Sequence, residues 1–318
     1  MKISYTSNRL LIFIIFTACL CLFFAIQKKI HDNDSSLSDL KLDKLPNEDE
    51  VLKLFQHWKN HHERVYNDLD VMANKFEIFV SNLKYIVETN AKRESTESSL
   101  LGLTDFADLS FMEFKETYLT MTPDTVDIVN DYDNDEKKKL QDLSVKEVLD
   151  CTPEPNNCSG GSSFDAFNWV IGNKGLALES DYASYKPVKG VCKSKESRNS
   201  PISAIHSFQH VAQSDEALLC AIVNQPITLY FYVTKDFQHY HNKIYEGPNC
   251  PVDSTDVTHA MLIVGYGSVE EGKDYWIVKN TWGKRWGRTG YALVRRNTKK
   301  KYGVCGINAW ASFPVKND

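Results

Sequence analysis

Residues 256–291 constrain this chain more than any other stretch. Residues 260–266 and 275–279 are apolar runs, and the loop SVEEGKD between them is polar and holds Gly272. Two short β-type runs around such a loop read as a hairpin. The midpoint of positions 259 and 280 is 269.5, inside the loop, so a symmetric hairpin sets His259 opposite Asn280. Directly paired residues on neighbouring strands hold their Cβ atoms about 4.5–5.5 Å apart. An amide at that range bonds one imidazole nitrogen and leaves the other free as a base. A slip of one residue turns one side chain to the other face and breaks the pair. Geometry alone leaves two readings open: a base with its orienting amide, or a histidine at a strand end and an asparagine at a turn.

The residues around the pair carry a resemblance. Residues 280–291 read NTWGKRWGRTGY, residues 257–260 read VTHA and residues 264–267 read VGYG. In order, tryptophans and glycines these resemble the asparagine and histidine segments of papain-family cysteine proteases. The resemblance implies that His259 is a general base paired to a cysteine. It implies that Asn280 orients the base and that Trp282 shields their hydrogen bond.

A length of 318 residues allows one or two domains with ample core. The net charge of -5 gives no reason to expect nucleic acid as a partner. Lysine triads at 137–139 and 299–301 are the basic runs, and such triads solvate a surface. His206, His210, His239 and His241 have no metal-like partners and read as surface or loop residues, so neither metal nor cofactor is expected. Residues 10–26 carry no charge and are flanked by Lys2, Arg9, Lys28 and Lys29. Residues 1–27 thus read as a secretory signal, with an uncleaved membrane anchor as the alternative; a membrane is a partner only in that second case. Either way the body enters the secretory pathway, bound for a lysosome, a vacuole or the exterior. Disulfides are expected there, and the sequons at 33–35 and 157–159 become glycosylation sites.

Residues 48–90 read as two helices. Val51, Phe55, Trp58, His62 and Val65 form one apolar stripe, and Met72, Phe76, Phe79, Leu83 and Ile86 form another. Phe79, Asn82, Ile86 and Asn90 have the spacing of the second half of the inhibitory prodomain motif of papain-like zymogens. Lys75 stands where that motif has arginine and Val71 where it has glutamate. Gly102, Thr104, Phe106 and Asp108 match the second prodomain signature, with threonine in place of asparagine. FMEFKETY follows at 111–118. Residues 48–118 therefore resemble this prodomain. In the family it packs on the peptidase and runs backwards through the cleft, which makes it an inhibitor.

The family's histidine and asparagine lie about 130–150 residues after a nucleophilic cysteine. Counting back from His259 gives positions 109–129, and no cysteine lies between Cys21 and Cys151. Residues 119–142 are rich in acids and read as a solvated linker. They stand where the family has the oxyanion glutamine and the helix bearing the nucleophile.

The resemblance resumes at Leu143 and runs to the end, so residues 143–318 resemble a peptidase domain lacking its N-terminal part. Ser144 and Glu147 read as a capping box for a short helix. The resemblance implies bridges Cys151–Cys192 and Cys250–Cys305 and leaves Cys158 unpaired; six body cysteines alone allow fifteen arrangements. Cys220 reads as an ordinary buried thiol. Gly160 and Gly161 read either as a tight turn or, by resemblance, as an edge that pairs with an extended substrate. Phe164, Phe167 and Val170 are core positions of the helix that follows. Strands are expected at 227–233, in the hairpin, at 291–295 and at 309–313.

The fold class is α+β. It is a two-lobe papain-like fold with a helical left lobe, incomplete here, an antiparallel β right lobe and a preceding helical prodomain. The implied function is that of a cysteine endopeptidase precursor acting on peptide or protein substrates. Lacking its nucleophile, such a chain is expected to be inactive. The alternative is a pseudoenzyme or prodomain-type inhibitor whose partner is a related cysteine protease. With the central helix gone, the two bridges are expected to hold two separately stable remnants.

Overall fold

The computed structural model describes residues 42, 44–96, 98–119, 142–153, 160–194, 204–252, 254–269 and 272–316. The leader, both sequons, Cys158 and residues 120–141 lie outside the described residues, and so do the expectations placed on them. The chain divides into two compact units, residues 1–91 and 92–318.

In the first unit, helices α1 (Glu48–His61) and α2 (Leu69–Ala91) form a hairpin. Asn47 and Glu50 cap α1 reciprocally, which satisfies two donors that a helix start leaves open. Asp68 Oδ1 accepts the amides of Asp70 at 2.7 Å and Val71 at 3.2 Å, and so starts α2. The two stripes meet as aromatic edges: Phe55 lies 5.1 Å from both Phe76 and Phe79, and Trp58 lies 5.3 Å from Phe79. Phe79, Asn82, Ile86 and Asn90 are buried. Val65 is exposed, contrary to its place in the stripe, because α1 ends at His61 and the periodicity ends with it.

The second unit is built on strands. β1 (Leu100–Leu101) pairs with β4 (Tyr240–Asn242). The main sheet contains β2 (Ser207–His210), β3 (Ile227–Phe231), β5 (Ile244–Tyr245), β6 (His259–Ser268), β7 (Asp274–Lys279), β8 (Tyr291–Arg295) and β9 (Ser312–Val315). Their order is β2-β9-β3-β6-β7-β8-β5. All pairs are antiparallel except β5 with β8. β3 stops two residues earlier than expected, and the last strand starts at Ser312 rather than 309. The chain is still turning at Ala309, whose N–H bonds back to Gly306 O at 2.9 Å. Phe231, Met261, Ile263, Trp276 and Val278 bury one face of the sheet.

The segment before the linker belongs to this unit as well. Helix α3 (Phe111–Tyr118) opens with a capping box between Ser110 and Glu113. Phe106 and Phe114 sit in the same core cluster as Trp282, Trp286 and Phe237.

Two helices represent the left lobe. α4 (Val145–Cys151) is capped by Ser144, which accepts the Glu147 N–H at 3.1 Å. The return half of the expected box is absent: the Glu147 carboxylate accepts the Ala177 N–H at 2.6 Å instead. Buried Lys146 and Asp150 form an ion pair on α4, and Lys146 Nζ also donates to Val188 O at 2.7 Å. Asp150 further accepts the Gly190 N–H at 2.5 Å. Burial works against the charged carboxylate, but the Lys146 and Gly190 hydrogen bonds outweigh it and hold the Asp150 pKa below its usual value. The Cys151–Cys192 disulfide closes the same loop, with Cα atoms 4.8 Å apart. Cys250 is bonded to Cys305.

Helix α5 (Ser163–Gly172) is stapled to the opposite face of the sheet. The Tyr230 hydroxyl accepts the Ser163 N–H at 2.8 Å, and the Phe164 ring lies 5.5 Å from the Tyr230 ring. Both disulfides therefore fall within one compact unit. Phe164, Tyr230 and Val257 form a small core of their own between α5 and the sheet.

Helix α6 (Asp215–Ile222) corrects one expectation: Cys220 is exposed, since the helix buries Leu218, Ala221 and Ile222. Helix α7 (Lys235–Gln238) precedes another: His239 is fully buried, and His210 is buried too. His239 lies at the C-terminal end of α7, between the buried side chains of Gln238 and Tyr240.

Replacing Phe106, which is 3% exposed, removes a buried aromatic side chain. Phe106→Ala is expected to cost about 3–5 kcal/mol of stability. Urea unfolding followed by tryptophan fluorescence measures it, and a loss below about 1 kcal/mol would place Phe106 outside the core.

Candidate active site

His259 opens β6 and pairs with Phe231 of β3. Asn280 follows the end of β7, and its N–H donates to Gly290 O at 2.9 Å. The expected symmetric register does not occur. The pairs nearest the site are Leu262 with Lys279 and Ile263 with Val278. Carried one step further, that register sets Asn280 opposite Met261, with His259 two residues away. An offset of two keeps both side chains on the same face, and diagonal neighbours of this kind stay within reach of long side chains. The register shifts again between Ile263 and Gly265, where Val264 bulges.

The two side chains meet. His259 Nε2 and Asn280 Oδ1 are 2.9 Å apart. With the amide oxygen accepting, Nε2 carries the proton and donates. Nδ1 is then the basic nitrogen, and it has no hydrogen-bond partner among the described residues. Asn280 Oδ1 also accepts the Thr281 N–H at 2.7 Å, which fixes the amide. Both residues are buried, at 7% and 6% exposed. Burial disfavours the imidazolium and pushes the His259 pKa down to about 4, although the Asn280 hydrogen bond works the other way.

Trp282 stacks on the imidazole with centroids 4.8 Å apart and planes 28° apart. Edges meet its ring from Phe114 at 5.1 Å, Phe106 at 5.6 Å and Trp286 at 5.0 Å. The loop that presents Trp282 needs glycine at 287: φ is +59°, and an added Cβ would stand 2.6 Å from Tyr291 O. Phe114, Trp286 and Phe237 were not among the expected site residues. Their signals were present: Phe114 lies in the FMEFKETY run, and Trp286 lies in the segment resembling the family's asparagine motif.

Gly160 and Gly161 precede the α5 N-cap, Ser162. Gly160 has φ +116°, and nothing lies within 4 Å of a Cβ built on Gly161. The second glycine is thus an exposed, open stretch of main chain. Among the described residues no group of histidine, cysteine, aspartate and glutamate could hold a metal ion. No described helix is long and apolar enough to cross a membrane.

Residues 124–315 match the family profile described as "Papain family cysteine protease", and residues 55–114 match "Cathepsin propeptide inhibitor domain (I29)". The first match begins inside the stretch read as a linker. The P34 probable thiol protease of Glycine max is 33% identical over 341 residues, covering 89% of this chain and 88% of that protein. Cysteine protease XCP2 of Arabidopsis thaliana is 34% identical over 336 residues, covering 89% of this chain and 92% of its own length. Among solved structures, a recombinant stem bromelain precursor superposes with a TM-score of 0.75 at 30% identity, over 85% of this chain and all of that one.

The depressed histidines set a direction for pH. His259 and His239 titrate at about 4 and about 3, whereas unfolded histidine titrates near 6.5. The unfolded state binds more protons between those values, so their contribution is complete above pH 6.5 and is lost as pH falls toward 3. A tenfold difference in proton affinity between the two states corresponds to about 1.4 kcal/mol. Urea midpoints are expected to fall steadily from pH 6.5 to pH 4, and a His259 resonance titrating at 6.5 or above would contradict the buried neutral imidazole. By its two profile matches and its relatives, the chain belongs to the papain family of cysteine proteases and carries the propeptide inhibitor domain of their precursors.

Proposed function

We propose that this member of the family does not hydrolyse peptides as its sequence stands. The observation that carries the reading is the His259 Nδ1 atom, a basic nitrogen with no thiol partner among the described residues. A cysteine protease needs a thiolate, a base and oxyanion donors. A thiolate beside the imidazole would favour its charged form and raise its pKa, yet burial leaves His259 near 4. Two disulfides occupy four of the body cysteines, and Cys220 lies exposed on α6. The alignment with the Glycine max protease runs over 341 residues, more than the 318 of this chain. The relative therefore holds residues that this chain lacks, in keeping with an interruption before Leu143. His259, Asn280 and Trp282 keep the roles of base, orienting amide and shield. Gly160 and Gly161 remain the edge for an extended peptide, and the compartment is the secretory pathway.

The test is labelling and turnover together. The purified chain, with residues 1–118 removed, is incubated with a thiol-directed peptide probe and a fluorogenic peptide at mildly acid and neutral pH. Neither turnover nor stoichiometric labelling is expected; labelling of Cys158 accompanied by turnover would refute the proposal. The transcript across codons 118–143 distinguishes an interrupted enzyme from a lineage without the nucleophile.

A second reading is favoured by the propeptide match and by the buried Phe106 and Phe114. On this reading residues 48–118 inhibit a related papain-like protease in trans. The isolated segment is expected to inhibit at micromolar concentration and Phe106→Ala to weaken it. An inert segment at that concentration would remove this reading.

A further inference from the structure

Residues 100–119 lie along the sheet body as a strap, and a short edge at 238–239 holds them. His239 O accepts the Gly102 N–H at 2.9 Å. Gln238 O accepts the Thr104 hydroxyl at 3.2 Å. Gln238 Nε2 donates to Phe106 O and to Leu109 O, each at 3.2 Å. On the strap's side, all of these atoms except the Thr104 hydroxyl are main chain. Phe106 O and Leu109 O also frame a turn, because the Leu109 N–H bonds to Phe106 O at 3.1 Å.

Gln238 is fully buried. Its side-chain nitrogen finds these two carbonyls, while its Oε1 has no partner among the described residues. A buried amide whose donors lose their acceptors carries its full desolvation cost. The main-chain oxygen of Gln238 also accepts the Trp286 indole N–H at 3.2 Å, so the residue is joined to the aromatic group around Trp282.

We propose that Gln238 is the positioning residue that locks the strap over Trp282, and that it recognises the backbone of the 106–109 turn rather than its side chains. The lock goes beyond the family assignment, which says that a propeptide is present but not what grips it. The partner it takes is a polypeptide turn offering two carbonyls to one amide nitrogen. The carboxamide suits that task, since it is uncharged and donates twice from one atom.

The lock can be given a pH dependence that the parent lacks. In Gln238→Glu, a carboxylate would face two carbonyl oxygens, whereas the protonated acid can donate to one. Docking raises the pKa of that new group. Docking is therefore present below the ordinary Glu value of about 4.3 and lost as pH rises through the raised one. Lys235 and Asp236 on α7, His239 after it, Asp105 and Asp108 on the strap, and Arg285 paired with Asp105 titrate in variant and parent alike; in the variant the cations lower the pKa of the new carboxyl and the neighbouring carboxylates raise it, in addition to the rise on docking.

Hydrogen exchange on the full chain reads the outcome. Relative to the parent at the same pH, Gln238→Glu is expected to lower protection of the Gly102 and Leu109 amides about tenfold at pH 7.5. At pH 4.5 the loss should be less than about threefold, with β6–β7 amides unchanged at both. Equal loss at both pH values, or none at either, overturns the proposal. Should β6–β7 protection also fall, Gln238→Met decides, since it keeps the volume without a donor. It is expected to lose strap protection equally at both pH values while the sheet stays protected. Parental protection of its strap, or loss of its sheet, overturns the lock.

Discussion

Trp282 is the plane against which the site is set. One part of its surface is given to the His259 imidazole at 4.8 Å, and ring edges from Phe106, Phe114 and Trp286 meet it nearly at right angles. Edge contacts suit the aromatic quadrupole, whose face is negative and whose rim is positive. The indole therefore couples two things that the sequence keeps far apart, a strap near residue 110 and a buried imidazole at 259. The low pKa of His259 stems first from burial, and Trp282 is part of what buries it. Whatever loosens the strap loosens the cover of the imidazole.

The meeting of His259, Asn280 and Trp282 was the most legible part of the chain. His259, Asn280 and Trp282 meet because a glycine-rich loop and a hairpin leave little freedom. The register was not legible. A symmetric loop was the simplest assumption, but the loop-side pairs, from Gly265 with Ile277 to Ser268 with Asp274, are displaced from it by three residues, and the Val264 bulge brings the displacement back to two. The pair still met because the error was two residues, which preserves the face; an error of one would have separated the side chains. The capping of α4 failed differently. The sequence shows that Glu147 can fold back on Ser144, but it cannot show that the Ala177 amide competes for the same carboxylate and wins.

The region of α4 and α5 was the least legible. Tyr230 sits in an apolar run, where a tyrosine reads as one more core residue, yet its hydroxyl carries the joint between sheet and helix. Nor does the spacing of Lys146 and Asp150 reveal that both are buried. An i,i+4 pair is usually a solvent-exposed contact of little consequence. Here its further hydrogen bonds go to Val188 O, the Gly190 N–H and the Tyr182 hydroxyl, so the pair organises a loop that contributes little apolar packing of its own. Polar groups do much of the work of holding this region together. Such groups depend on mutual satisfaction, so the loss of one strands its partners.

The bulge at Val264 divides the hairpin into two mechanical regimes. On the site side the ladder holds Ile263 to Val278, and on the loop side it holds Gly265 to Ile277. A ladder without a bulge transmits any change of loop length along its whole run, and an odd change turns every side chain over. Val264 takes up one residue of mismatch before it reaches His259. The face on which the imidazole and its amide meet is thus set by the pairs on the site side of the bulge, Ile263 with Val278 and Leu262 with Lys279, rather than by those next to the loop.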